Sequence, residues 1–226
     1  MEKLKQLIEK GVLSDLIKAE EAISVFKNIA TNAAKINDCE DSIKFTFGYV
    51  QQLCFNEFIL SISRMYDKKT PRNSPRCIET VIKFLQDNKD VFQPVREKYQ
   101  LTLHMRLFQM PEYIISLLDS NDSSQFPATL ALYFENRLKN LREDFKTIKN
   151  NRDKKLAHNE PTEVIGIKVD ETEPFLSFGW KLVVIIGWAF LNTAYGFEDD
   201  FHLKRDSHRQ GIYIKKVIHR LINNGT

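Results

Sequence analysis

An arginine and a histidine six positions apart are the residues of this chain whose types best suit catalysis. Arg152 and His158 lie near the end of a long stretch of helical period. Histidine exchanges protons near neutral pH, and a guanidinium binds phosphate oxygens through two parallel hydrogen bonds. Such groups could cleave a phosphodiester of RNA without a metal. Histidine would take the proton of the 2′-hydroxyl and protonate the leaving 5′-oxygen, and arginine would stabilise the charged phosphorane.

Arg152 occupies a position where the helical pattern predicts an apolar residue. The apolar stripe that leads to it advances by steps of four and three through Phe134, Leu138, Leu141, Phe145 and Ile148. A charge in such a seam is costly unless it is paired or lies at an interface, so Arg152 indicates an ion pair or a functional role. On a regular helix Arg152 and His158 are about 120° apart. We therefore expect His158 to leave helical geometry, or the pair to be completed across two subunits.

The same segment resembles the Arg-x4–6-His motif of the HEPN superfamily, with Ala157 directly before His158. A second element, Arg64-x-x-Asp67 followed by a polar loop and a helix that opens near Ser74, resembles the abortive-infection AbiU-like branch. The resemblance covers about residues 45–160. It implies an all-α, commonly dimeric domain with metal-independent RNase activity at the arginine and the histidine.

Further residues near this pair are candidates for supporting and RNA-binding roles. The supporting residues would be Asp153, Asn151, Arg64 and Asp67, and the RNA-binding residues would be Lys149, Lys154 and Lys155. Structural alternatives remain open for two of these features. A histidine at a helix C-terminus complements the helix dipole, and Arg64 with Asp67 could form an internal ion pair that closes its helix.

Basic residues are concentrated in two stretches, although the net charge of +3 is too small to indicate nucleic-acid binding by itself. Residues 137–155 hold eight basic and three acidic residues, and residues 204–220 hold six basic residues and one acid. Each stretch could be a solvated helix face. If the two converge in space, they form a surface that attracts phosphate.

Several classes of protein are disfavoured by what the sequence contains. Cys39, Cys54 and Cys77 are odd in number and have no CxxC spacing, which disfavours a disulfide framework or a zinc site and indicates a reducing cytoplasm. No phosphate-binding glycine motif and no metal-binding histidine spacing is present, so we expect neither metal nor cofactor. The most apolar run, Leu182 to Leu191, is too short to span a bilayer, and the N-terminus has no signal-peptide core. A buried helix is the better interpretation of that run.

The remaining pattern predicts one all-α domain over residues 1–226, a HEPN-like bundle of about seven helices. Helices are expected over 14–36, 39–67, 75–86, 88–118 with a break near Met110-Pro111, 128–157, 175–197 and 204–223. Ser14 is a candidate N-cap, and residues 162–173 could be extended. The HEPN-like core would be about 40–160, with helices of 175–224 packed on it.

The function that these observations favour is a metal-independent endoribonuclease in a toxin, abortive-infection or phage-defence role. Its products would end in a 2′,3′-cyclic phosphate. The expected partners are RNA, a second copy of the chain and a cognate antitoxin, with no membrane. Two alternatives stay open: a non-catalytic HEPN-like module that binds RNA or protein, and a structural helical adaptor.

Overall fold

The helices of this chain form an all-α structure, as the sequence predicts. The computed structural model describes residues 1–68, 76–92, 95–119, 123–151, 169–196 and 202–224, and among these residues there is no β-strand. The α-helices are α1 (Glu2–Leu7), α2 (Leu13–Thr31), α3 (Ala33–Asn37), α4 (Asp41–Tyr66), α5 (Ile78–Asp87), α6 (Lys98–Leu107), α7 (Glu112–Ile115), α8 (Phe126–Asn151), α9 (Glu173–Ile186), α10 (His202–Ser207) and α11 (Arg209–Asn224). They exceed the predicted number of about seven because several periodic stretches are divided.

The first helical region begins earlier than the sequence indicates. A π-helical segment, Ile8–Val12, joins α1 to α2, so Ser14 lies inside a continuous helical run and is not an N-cap. The apolar residues Leu4, Ile8 and Leu16 are fully buried. Their spacing of four and eight residues continues the apolar stripe of α2 toward the N-terminus, and burial of that stripe holds the extra turns in place.

The long helix α4 packs along α2, but only its second half is central. Phe58, Ile62 and Met65 have no exposed surface, whereas Phe45 and Tyr49 are 77% and 67% exposed. The first half of α4 is therefore not buried all round. One side of that half faces solvent in the structure.

The apolar stripe predicted on α8 is confirmed. Phe134, Leu138, Phe145 and Ile148 are buried, and Leu141 packs against the same core while partly exposed. The predicted break near Met110-Pro111 is also confirmed, because α6 ends at Leu107 and α7 begins at Glu112. Gln109, between them, has a left-handed backbone with φ of 55°.

Helix α9 continues through a π-helical turn, Gly187–Leu191, and is the apolar centre of the bundle. By length and composition Glu173–Leu191 could cross a membrane, which corrects the expectation that its apolar run is too short. However, 67% of its most apolar window is buried inside the protein. This helix is therefore buried in the structure, as the sequence predicts.

The C-terminal helices α10 and α11 pack on α2. The predicted helix over 204–223 is divided at His208. A second, smaller core lies here, formed by Ile29, Ile36, Phe47 and Ile218. Of the stretch 162–173 that was expected to be extended, residues 162–168 lie outside the described part, and Val169–Thr172 forms a 3-10 helix.

Candidate nucleic-acid interface

A basic groove lies between the end of α4 and the C-terminal half of α8. Its volume is about 460 Å³. Five of its nine described lining residues are basic and two are acidic. The lining residues are Tyr66, Asp67, Lys68, Lys139, Arg142, Glu143, Phe145, Lys146 and Lys149. We call this feature the α4–α8 groove.

The α8 side of the groove follows from the sequence of that helix. Its basic residues Lys139, Arg142, Lys146 and Lys149 recur at steps of three, four and three. Residues at this spacing share one side of a helix. The buried stripe beside them fixes the rotation of α8, so this row of cations is held along the edge of the apolar contact.

The positive charge of the groove is partly neutralised by carboxylates of the protein itself. Lys139 Nζ lies 3.1 Å from Glu135 Oε1, Arg142 lies 2.9 Å from Glu79 Oε2, and Lys146 pairs with Glu143. Lys68 and Lys149 form no ion pair within the described part of the chain. These two cations are therefore the ones most available to an external phosphate.

Tyr66 forms part of the groove floor and positions the end of α4. Its ring lies 5.5 Å from that of Phe145 and 5.2 Å from that of Phe175, measured between centroids. Its hydroxyl donates a hydrogen bond of 2.7 Å to the Phe175 carbonyl oxygen. Burial raises the pKa of Tyr66 well above its ordinary value, so the phenol stays neutral. These contacts tie α4 to α8 and α9 and set the place of Asp67.

The structure brings together two of the site residues predicted from sequence. Asp67 and the exposed Lys149 both line the α4–α8 groove. Asn151 is the last residue of α8, and nothing is described of its side chain. The other predicted residues of this segment, which are Arg152, Asp153, Lys154, Lys155 and His158, lie outside the described residues.

Arg64 makes different contacts from those the sequence suggested. Its Nε donates to Asp15 Oδ1 at 2.8 Å, and its Nη2 donates to Glu57 Oε1 at 2.8 Å. The expected ion pair between Arg64 and Asp67 is therefore replaced by pairs with a residue of α2 and a residue of α4 itself. Burial raises the pKa of Asp15 even though the Arg64 guanidinium opposes that effect. Arg64 therefore joins α4 to α2 through its hydrogen bond to Asp15.

A buried carboxylate that sequence reasoning missed anchors the C-terminal helices. Glu20, on α2, is 3% exposed. It accepts a hydrogen bond of 3.0 Å from Trp180 Nε1, and its other oxygen lies 2.9 Å from His208 Nε2. Lys204 Nζ lies 3.3 Å from Glu20 Oε1. Its partners are about 160 or more positions away in sequence, so no local pattern could have indicated them.

These partners decide the charge of Glu20. Burial alone would raise its pKa, but the hydrogen bond from His208, the charge of Lys204 and the hydrogen bond from Trp180 outweigh burial and lower the pKa. Glu20 is therefore a carboxylate near neutral pH. Among the described residues, no cluster of three or more acidic, histidine or cysteine side chains could hold a metal ion.

The two basic stretches do not meet in the α4–α8 groove. The described lining residues of the groove come from the end of α4, the residues that follow it and α8, and none comes from α10 or α11. Lys204 of the second stretch is instead drawn to Glu20 and to Glu173, which lies 3.7 Å away. The described cations of the groove therefore come from the first stretch and from Lys68, which follows α4.

One comparison with known proteins identifies a family. Residues 1–180 match the HEPN family model described as AbiU2. The match includes the α4–α8 groove and the Arg152 to His158 segment, and it ends within α9, so α10 and α11 lie beyond it. No curated protein and no solved structure matches the chain.

Proposed function

Because this chain belongs to the AbiU2 family of HEPN domains, we propose that it is a metal-independent endoribonuclease of an abortive-infection system. HEPN domains are usually associated with RNase activity. The cytoplasm would be its place of action and RNA its substrate. A cognate antitoxin is the candidate protein partner, since an active ribonuclease must be restrained in its host.

The observation that carries the proposal is the position of the α4–α8 groove. Lys149, in the groove, lies three residues before Arg152 in the sequence. Lysines that contact the phosphates of an RNA strand release the cations condensed around it, and this release favours binding. Lys68 and Lys149, which form no ion pair among the described residues, would hold the backbone of the strand where the Arg152 to His158 segment begins.

The proposed chemistry uses the RNA's own hydroxyl as the nucleophile. His158 takes the 2′-OH proton as the 2′-oxygen bonds to phosphorus, and the bond from phosphorus to the 5′-oxygen breaks. A second histidine, from the partner subunit of a two-fold dimer, gives a proton to that leaving oxygen. Arg152 stabilises the equatorial oxygens, Asp153 orients the arginine or the histidine, and Lys154 with Lys155 binds flanking phosphates. The products are a 2′,3′-cyclic phosphate and a 5′-hydroxyl.

The test is a cleavage assay on labelled RNA in the presence of EDTA. His158→Ala and Arg152→Ala should each lower the rate by orders of magnitude, since a general base alone contributes about 10²–10⁴-fold. Thermal melts of the same proteins should show folded chains. Undiminished cleavage by folded His158→Ala protein would contradict the proposal. RNA binding without cleavage by the wild-type protein would identify a non-catalytic binding module instead.

A matched pair of lysine variants tests the role of the groove. Lys149→Gln should weaken RNA binding and reduce the slope of log affinity against log salt by about 1, the share of one phosphate contact. Lys215→Gln removes an exposed lysine of α11, outside the groove, and should leave that slope unchanged. Equal effects of the two substitutions would show that the attraction is diffuse rather than located at the groove.

A further inference from the structure

A second concavity, separate from the α4–α8 groove, lies between the N-terminal helix and the end of α9. Its volume is about 290 Å³, close to the lower end of the range for small-molecule sites, about 300–1,000 Å³. Its lining includes Glu2, Lys5, Phe92, Arg96, Trp188 and Phe190. We call it the α1–α9 pocket. Its α9 wall lies beyond residue 180, where the family match ends.

The walls of the α1–α9 pocket are aromatic and held in place by packing. The Trp188 ring stacks on the buried His104 ring, with centroids 5.6 Å apart and planes inclined by 26°. Its indole N–H donates a hydrogen bond of 3.3 Å to the Gly196 carbonyl oxygen. The Phe92 and Phe190 rings lie 4.5 Å apart. Rings fixed in this way offer an aromatic surface without first having to be ordered.

The backbone that presents Trp188 departs from regular helix. The π-helical turn Gly187–Leu191 ends at Asn192, whose backbone is left-handed with φ of 50°. The chain then folds back over the turn, and the Thr193 N–H donates to the Gly187 carbonyl oxygen at 3.1 Å. A side chain at Gly187 would leave its Cβ 2.5 Å from the Thr193 oxygen. Single π-helical turns are frequent at functional sites.

A hydrogen bond joins the two walls of the pocket. The Tyr195 hydroxyl donates to Glu9 Oε1 at 2.9 Å, and Glu9 lies one turn after Lys5 on the N-terminal helical run. Burial and the neighbouring Glu9 carboxylate raise the pKa of Tyr195, so this donor keeps its proton near neutral pH. The spacing between the lysine side and the tryptophan side is thereby fixed.

The rim of the pocket is positive. Arg96 is exposed and forms no ion pair within the described part of the chain. Lys5 makes only a long contact of 4.0 Å with Glu9. Glu2, the acid among the lining residues, accepts a hydrogen bond of 3.3 Å from Gln6. Two cations beside an aromatic wall suit a ligand that carries an anionic group on a ring.

We propose that the α1–α9 pocket binds a small aromatic anion. Its ring would lie against Trp188 and Phe190, and its carboxylate or phosphate group would accept hydrogen bonds from Arg96 and Lys5. A guanidinium binds either group in the same bidentate way. This site does not depend on the proposed ribonuclease activity, because it shares no described residue with the α4–α8 groove.

Two fluorescent probes with related ring systems test the proposal on the full chain. 1-Anilinonaphthalene-8-sulfonate carries an anionic group, whereas N-phenyl-1-naphthylamine is neutral. The sulfonate should bind saturably, and Arg96→Gln should weaken it about tenfold, the value of one charge-assisted hydrogen bond. Binding of the neutral probe should change less than twofold. Arg220→Gln, an exposed arginine of α11 outside the pocket, should change neither. Equal weakening of both probes by Arg96→Gln, or no saturable binding, would overturn the proposal.

Trp188 provides a second, independent readout. The chain has two tryptophans, of which Trp180 is 1% exposed and Trp188 lines the pocket. Trp188→Phe keeps an aromatic wall and should lower energy transfer from tryptophan to the bound sulfonate, with Trp180 as the remaining donor. Phenyl phosphate and phenylacetate should displace the sulfonate, and the stronger of the two identifies the anionic group. Equally strong displacement by decanoate, which has no ring, would contradict the aromatic preference.

Discussion

The Arg64 guanidinium joins α4 to α2 through carboxylates in very different surroundings. Asp15 has only 13% of its side chain exposed, while Glu57 has 45%. Burial of a carboxylate without a partner is costly, so removal of the arginine would affect Asp15 more than Glu57. Because the Arg64-x-x-Asp67 element resembles a family motif, this arginine was expected to support the catalytic segment. Its contacts instead predict a contribution to stability.

Arg64→Ala should therefore lower the free energy of unfolding by about 1–2 kcal/mol, because it removes the arginine partner of the largely buried Asp15 carboxylate. Urea unfolding measures this change. Arg106→Ala is the control, since the Arg106–Glu112 pair is 64% and 71% exposed. Such surface pairs contribute about 0–1 kcal/mol. Equal losses of unfolding free energy in the two variants would show that the pair with Asp15 stabilises the protein no more than an exposed ion pair does.

At the residue scale, sequence reasoning located charges well and located their partners poorly. The periodicity of α8 correctly predicted its buried apolar stripe. It could not show that Asp15 would be the partner of Arg64, or that Glu20 would face His208. Those pairs join residues 49 and 188 positions apart. They depend on which helices lie side by side, and local spacing does not encode that arrangement.

Two glycines show how closely the helices approach one another at different places. A Cβ added to Gly211 of α11 would lie 2.1 Å from Ser24 Oγ and 2.9 Å from the Ser24 carbonyl oxygen of α2. A Cβ added to Gly48 of α4 would meet nothing within 4 Å. The absence of a side chain is therefore a packing requirement at Gly211 and has no such role at Gly48.

Alanine substitutions at these positions should have opposite effects on stability. Gly211→Ala should destabilise the protein by about 1–3 kcal/mol, because the helix must move away from α2. Gly48→Ala should stabilise it by about 0.5–1 kcal/mol, since alanine favours a helix more than glycine does. Thermal or urea unfolding of the two variants tests the pair. Destabilisation by both would mean that the open side of α4 is covered.

The residues at which helices begin and end show which boundaries a sequence pattern can predict. The break near Met110-Pro111 was predicted because proline disfavours helix in the residue before it. The start of the first helix was not, because Ser14 resembles an N-cap, although the apolar stripe continues back to Leu4 through a π-helical segment. Burial of that stripe outweighs the local preference of a serine. Helix ends of this kind are decided by tertiary packing.

Association of two copies is the prediction that belongs to the whole molecule. The proposed chemistry needs a base and an acid at the same time. His158 can supply both roles only if two chains meet and each contributes its own copy. We therefore expect a two-fold dimer with the 152–158 segment at or near the interface. Light scattering of the purified chain over a range of concentrations measures this. A monomer at high concentration that nevertheless cleaves RNA would contradict the shared site.

The pH dependence of stability follows from Glu20. Its pKa in the folded protein lies below the ordinary value of 4.5, so the folded state holds the proton less tightly than the unfolded state. The stabilisation is fully present above about pH 4.5 and is lost as pH falls through the lower folded-state pKa. Glu20→Gln should unfold more easily by about 1–3 kcal/mol at pH 7.

Urea unfolding between pH 7 and pH 3 tests this expectation. The difference in unfolding free energy between wild type and Glu20→Gln should shrink as the pH approaches 3. Glu21→Gln, at the neighbouring and more exposed position on α2, is the control and should differ little from wild type throughout. A difference between wild type and Glu20→Gln that stays constant with pH would show that the charge of Glu20 is not the stabilising element.

The burial of Glu20 also bears on which features of this bundle should vary together among relatives. A carboxylate with 3% exposure is stable here because His208 donates a hydrogen bond to it and Lys204 forms an ion pair with it. Both residues lie beyond the family match. In a relative without the segment from α10 to α11, the same carboxylate would lose both His208 and Lys204 as partners. The glutamate and the C-terminal helices should therefore be inherited together, and homologues that end near α9 should carry an apolar or small residue at this position.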